Sequence, residues 1–241
     1  MGLRYGYVPA FIQQLGLTGV IENIDLITLM QPIHDFLSLA DIHFNFSNTA
    51  VQNNFPVSPR INLFIDLKQT YDSIYSAYRN DLKENIKKAE AEKLVYAEGD
   101  IKEAISLYHA YYGERMHSIK HRDYQRFQSL CVSLQGSSQC FVKSVRNDKG
   151  NTLAIGLFLK DTSRIYNLMN TTLPEGRDKE ANHFLLDNVI REFAGQSLVF
   201  DFEGSELPGV KHFYESFGAN NQPYFHYHFN GLPQLLRLFK H

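Results

Sequence analysis

The chain has 241 residues, 44% of them hydrophobic and 21% charged, with a net charge of −2 at pH 7. That is the composition of a globular protein large enough to enclose a sizeable core, and it excludes one that grips polyanions by bulk positive charge. Cys131 and Cys140 give no disulfide framework, and no apolar run reaches the roughly 20 residues that span a bilayer, so the expectation is a cytoplasmic chain with no membrane partner.

In chain order, residues 1–70 predict strand, helix, strand, strand. Residues 27–39 have a helical pattern, which would place Pro32 in its first turn. Residues 41–47 alternate apolar and polar, the period of a half-buried strand, and residues 61–67 predict a second strand after a loop over 52–59. The longest helix is predicted over 71–93, with Tyr71, Ile74, Tyr75, Tyr78, Leu82, Ile86 and Ala89 as its apolar stripe. Helices follow over 100–112 and 123–134, then strands over 138–145, 153–159 and 164–169. Asn147-Asp-Lys-Gly-Asn151 marks a hairpin turn between the first two strands. A helix over 179–194 leads to a short strand at Val199, a break at Gly204-Ser205 and a helix opening at Pro208. Val210, Phe213, Tyr214 and Phe217 give that helix an apolar face, Gly218 stands where positive φ would end it, and a last strand covers 224–229.

Several side chains carry possible chemistry. Asp201, Glu203, Ser205 and Glu206 cluster at the C-terminal end of a strand, where open sheets place ligand sites. Glu203 is the choice of base there. His117 with His121, and His226 with His228, are pairs without a third ligand at recognisable spacing, so no metal is expected. Ser205 lacks the glycine two residues away that a hydrolase elbow needs on either side.

Tyr214-Glu-Ser-Phe-Gly218 resembles the Y-E-K-x-G-F end of the last core helix in GNAT-fold acyltransferases. Pro9-Ala-Phe-Ile-Gln-Gln-Leu-Gly16 resembles the P-P-F-x-Q-Q-L-G signature of a subgroup related to the Fem peptidoglycan aminoacyltransferases. From residue 100 onward the predicted order of helices and strands is also the GNAT order. The resemblance implies an α+β fold, a GNAT-like mixed but mostly antiparallel sheet flanked by helices, with a partial second GNAT-like unit at the N-terminus. It implies a partial unit over 1–98 and a transferase domain over 99–241. In relatives the first signature follows several more strands, so a chain lacking its opening strands is expected.

The same resemblance implies transfer of an acyl group from acyl-CoA to a small-molecule or peptide amine. Tyr214 would protonate the leaving thiolate, and Glu203 would take the amine's proton. Backbone at Leu168, Met169 and Asn170 would hold the acyl carbonyl. The turn with Gly176, Arg177, Lys179 and Asn182 would meet the CoA pyrophosphate, although the usual Q/R-x-x-G-x-G/A is incomplete there. Residues 79–89 resemble an R-x-x-I-R-K-A segment of Fem-type enzymes, which would set Arg79, Lys83 and Lys87, with Asp201 and Ser205, at the acceptor. An aminoacyl-tRNA donor and a GNAT-like scaffold that binds without chemistry are the alternatives. The second would show a continuous ladder between the strands that hold Leu168 and Val199.

Overall fold

The computed structural model describes residues 3–19, 25–203 and 206–233. Its elements are β1 (Tyr5–Gly6), α1 (Leu26–Phe36), β2 (Leu39–Phe44), α2 (Val51–Asn54), β3 (Val57–Arg60), β4 (Leu63–Asp66), α3 (Tyr71–Ser76), α4 (Asn80–Ala91) and β5 (Val95–Glu98). They continue with α5 (Ile101–Tyr112), α6 (His121–Gln135), β6 (Cys140–Arg146), β7 (Thr152–Lys160), β8 (Arg164–Thr172), α7 (Pro174–Asp178) and α8 (Ala181–Phe193). The chain closes with β9 (Val199–Asp201), α9 (Pro208–Ser216), β10 (Asn220–Asn221) and β11 (Tyr224–Asn230).

Two compact units result. One is Met1–Asn62 with Gln222–His241, and the other is Leu63–Asn221. The first holds a four-stranded sheet in the order β1-β2-β11-β3, over a core of Leu26, Met30, Phe44, Val51, Phe225 and Tyr227. The second holds a seven-stranded sheet in the order β10-β4-β9-β8-β7-β6-β5. Every pair in that sheet is antiparallel except β8 with β9. The expected boundary after residue 98 falls inside this second unit, because β4 and β5 are both strands of its sheet. The last strand, β11, joins the smaller sheet instead, between β2 and β3.

Local chemistry explains where helices start and stop. Asp25 caps α1 by accepting from the Ile27 N–H at 3.0 Å and from Thr28 Oγ1 at 2.6 Å. That cap starts the helix at Leu26, so Pro32 lies in its interior and not in the first turn expected. The long helix expected over 71–93 is two helices. Ala77 and Tyr78 donate back three residues, to Ile74 and Tyr75, and tighten the end of α3. Arg79 is then extended, and its N–H donates to the Ser216 carbonyl at 2.8 Å. The helix expected over 179–194 is α8, which begins at Ala181 because Glu180, at φ +55, separates it from the short α7 before it. The 147–151 turn closes the β6–β7 hairpin, with Asn147 Oδ1 accepting from Lys149 and Asn151. Helices α5 and α8 pack on β6, β7 and β8, and α8 buries Leu185, Leu186, Val189 and Ile190.

Candidate active site

Strands β8 and β9 pair at three positions only: Arg164 with Val199, Ile165 with Phe200, and Tyr166 with Asp201. Beyond Tyr166 no described strand pairs with that edge of β8. Two local features drive the strands apart. On β8, Asn167 faces Phe158 and Met169 faces Leu157, so Leu168 is an extra residue and the strand bulges there. After β9, the Phe202 N–H donates to Leu63 O at 2.9 Å, and Glu203 takes φ +62, a left-handed conformation uncommon outside glycine. The Glu203 N–H is held by Asp201 Oδ1 at 2.8 Å.

The gap is a cavity of about 700 Å³ within the second unit. Its floor is β8, through Asn167, Leu168, Asn170 and Thr172. Helix α9 supplies Val210, Phe213 and Tyr214, because its apolar stripe turns that face inward. Tyr108 and Tyr112 of α5, with Arg115 and Met116 after it, form a further wall. Phe202 and Glu203 close the side where β9 ends.

The two residues expected to do chemistry both reach this cavity. Tyr214 stacks on Phe202, with ring centroids 4.6 Å apart and planes 23° from parallel. Burial, then Tyr108, Tyr112 and Glu203 nearby, push its phenol well above the ordinary range, so it stays protonated. Asn167 is close enough to pull weakly the other way. Glu203 is pushed up to about 8, first by burial and second by the Asp201 carboxylate, against the pull of Arg164. A carboxyl titrating there can exchange a proton near neutrality. Asp201 itself is 1% exposed and ion-paired with Arg164, so its side chain belongs to the framework of the site.

Leu168, Asn170 and Asn182 line the cavity, while the Met169 side chain is buried and turned from it. Gly176 and Arg177 lie with Glu180 and His183 in an adjoining pocket of about 230 Å³. That turn does not fit a diphosphate. Lys179 is held by Glu92 at 2.7 Å, and Gly176 is packed against the Leu153 carbonyl, where a Cβ would come within 2.1 Å. Glu180 stands at the start of α8, the end of a helix that favours anionic ligands, with an oxygen 2.9 Å from His183 Nδ1. Burial lowers the His183 pKa to about 4, so the ring is neutral and offers no compensating charge. Arg177 is left as the cation facing this pocket among its described lining residues.

The expected acceptor residues are not gathered at the cavity. Arg79 bridges Glu215 at 3.5 Å and His212 at 3.1 Å, Lys83 donates to the Ser76 carbonyl at 3.0 Å, and Lys87 is exposed on α4. Ser205 lies outside the described residues. No described helix is long and apolar enough to cross a membrane, and no described group of three His, Cys, Asp or Glu residues could hold a metal. Asn167, Tyr108, Tyr112 and Arg115 were not expected at the site. The signal available for Asn167 and Asn170 was two carboxamides within a strand that is otherwise mostly buried.

No family model matches the chain, and no curated protein matches its sequence. Solved structures do. The crystal structure of FemX superposes with a TM-score of 0.63 at 14% identity, covering 90% of this chain and 79% of that one. The fold is GNAT-like. The C-terminal domain of a lysylphosphatidylglycerol synthetase from Agrobacterium fabrum gives 0.53 at 12% identity, covering 89% and 74%. A GCN5-related N-acetyltransferase from Sphaerobacter thermophilus gives 0.50 at 11% identity, covering 86% and 68%. At these identities the likeness is one of fold.

Proposed function

We propose that the chain is an acyltransferase that moves an acyl group to an amine in the cavity between β8 and β9. The observation that carries this is the parting of those strands after Tyr166. It leaves one edge of β8 without a strand partner, next to a protonated phenol and a carboxyl that titrates near 8. A scaffold built only to hold its own sheet together has no use for such a gap, since unpaired strand edges cost stability.

In this proposal the unpaired backbone over Leu168–Asn170 holds the acyl carbonyl and stabilises the charge that develops on its oxygen. The amine nitrogen forms a bond to the carbonyl carbon, and Glu203 in its carboxylate form takes the amine proton. The bond to the leaving thiol or alcohol breaks, and Tyr214 supplies the proton to the departing atom. Acyl-CoA is the donor class suggested by the GNAT-like fold, but the α7–α8 turn does not fit its diphosphate, so no step relies on the nucleotide. The alternative donor, an aminoacyl ester of tRNA, has its precedent in the Fem resemblance alone, and a net charge of −2 offers it little.

Incubation of the purified chain with an acyl-CoA panel or aminoacyl-tRNA, each with a panel of amines, tests the proposal by mass spectrometry of the products. Enzyme-dependent amide formation supports it, and the productive donor identifies the class. Absence of product across both donor panels would count against transfer altogether.

A further inference from the structure

The two thiols of the chain take no part in the proposed transfer, and they touch each other. Cys131 lies near the end of α6 and Cys140 opens β6, and both are buried, at 0% and 2% exposure. Between them the chain folds back sharply. The N–H groups of Ser137 and Gln139 both donate to the Leu134 carbonyl, at 3.2 and 3.0 Å, and Ser138 takes φ +57, in the left-handed region. The Gln139 carbonyl then accepts from the Lys160 N–H at 2.8 Å, which seats the start of β6 against β7. Strand alternation sets the direction of the side chain. Phe141 and Lys143 meet Phe193 and Glu192 of α8, so Cys140 points to the opposite face of the sheet, towards Cys131 of α6. The Cys131 S–H donates a hydrogen bond to the Cys140 sulfur.

Burial alone would make each cysteine a small apolar core residue. Their contact adds chemistry. The hydrogen bond from Cys131 holds the Cys140 thiol below its ordinary range, against the effect of burial, and pushes Cys131 well above it, with burial adding to the rise. Cys140 also has a way in from solvent. Strand β5 pairs with β6 only from Lys143 to Arg146, so no described strand of that side covers the β6 edge at Cys140 and Phe141. A cavity of about 280 Å³ lies there, lined by Gly99, Ser138, Cys140, Phe141 and Lys160 among others. It shares no lining residue with the cavity between β8 and β9.

We propose that Cys131 and Cys140 are a reversible redox pair, in which Cys140 meets a small peroxide through this cavity and Cys131 resolves the product as an intramolecular disulfide. The Cys140 thiolate attacks one peroxide oxygen. An S–O bond forms as the O–O bond breaks, leaving a sulfenic acid, and the departing hydroxide takes a proton to become water. The Cys131 sulfur then attacks the Cys140 sulfur. The S–S bond forms, the S–O bond breaks, and the Cys131 proton leaves with the oxygen as a second water. The two thiols lose two electrons and the peroxide gains them, and a dithiol reductant reverses the change. No acyl group or amine takes part, so this chemistry is separate from transfer.

The test exposes the folded, reduced chain to an equimolar amount of hydrogen peroxide, then blocks thiols in denaturant and maps peptides by mass spectrometry without reduction. The chain has only two cysteines, so an intramolecular disulfide can only be this one. The expected product is a monomer lighter by two hydrogens and restored by dithiothreitol. Its thermal midpoint should be raised, because the bridge closes a loop in the unfolded chain. In Cys131→Ala, dimedone should capture a sulfenic acid on Cys140, whereas in Cys140→Ala it should label Cys131 about 10-fold more slowly. Unreacted thiols, a disulfide between two chains, or a lowered midpoint in the oxidised chain overturns the pair. Faster labelling of Cys131 than of Cys140 overturns the assignment of the attacking thiolate. Peptide mapping of the parent chain decides the pairing even where a variant fails to fold.

Discussion

Arg164 on β8 and Asp201 on β9 form a buried ion pair across the short stretch over which those two strands are joined. Asp201 also holds the Glu203 N–H, so one carboxylate links the strand pair to the turn that opens the cavity. Removing one partner strands a charge in the interior. Asp201→Asn is therefore expected to cost about 3–5 kcal/mol in urea denaturation, and Arg164→Met combined with Asp201→Leu should recover much of it. A single variant as stable as the parent would show that the pair does not hold the strands.

Glu203 has a folded pKa of about 8 against an ordinary carboxyl value near 4.5. The folded state then binds more protons than the unfolded state between those two values, so this residue makes stability fall as pH rises from about 4.5 to 8. Glu203→Gln removes that slope. The variant should gain thermal midpoint over the parent at pH 8.5 and gain little at pH 4.5. In the transfer reaction, a rate that rises as pH approaches 8 should flatten and drop in the same variant.

Tyr214→Phe keeps the ring that stacks on Phe202 and removes only the hydroxyl. If that phenol protonates the leaving group, turnover should fall by about 10²–10⁴-fold with donor affinity nearly unchanged. Full turnover in the Phe variant would remove Tyr214 from the mechanism.

Gly176 separates a packing role from a ligand role. A methyl group there would meet the Leu153 carbonyl at 2.1 Å, so Gly176→Ala is expected to lose about 1–3 kcal/mol of stability. Lowered CoA affinity with an unchanged melting temperature would instead restore the pyrophosphate role implied by the resemblance.

Periodicity made most of the second unit legible before any coordinates. The β6–β7 hairpin, α5, α6, α9 and the positive φ of Gly218 all follow from patterns of apolar residues, turn formers and glycine. Less visible were breaks caused by distant partners. Arg79 ends a helical stripe because its N–H is taken by Ser216, more than a hundred residues away. The capping side chain of Asp25 outweighed the preference of proline for a first turn. Tyr214 and Glu203 could be named because motif and strand period locate them, and the structure brings both to one cavity. Asn167 could not, since a carboxamide in a strand carries no sign of whether its partner is backbone, water or ligand. The lysines of α4 illustrate the converse: a basic run on a helix is more often a solvated face with i,i+4 charge pairs than a binding surface.

The placement of β11 has a consequence for the order in which the molecule is built. The larger sheet is complete at Asn221, whereas the smaller one needs strands as far apart as Tyr5 and Asn230. Such separated pairings must close a long loop of chain before any contact rewards them, which slows their formation. In refolding, the seven-stranded sheet can assemble before β11 has joined β2 and β3. The smaller sheet should therefore mature last, and a released chain truncated before Tyr224 should leave β2 and β3 open to proteolysis while the larger sheet is protected.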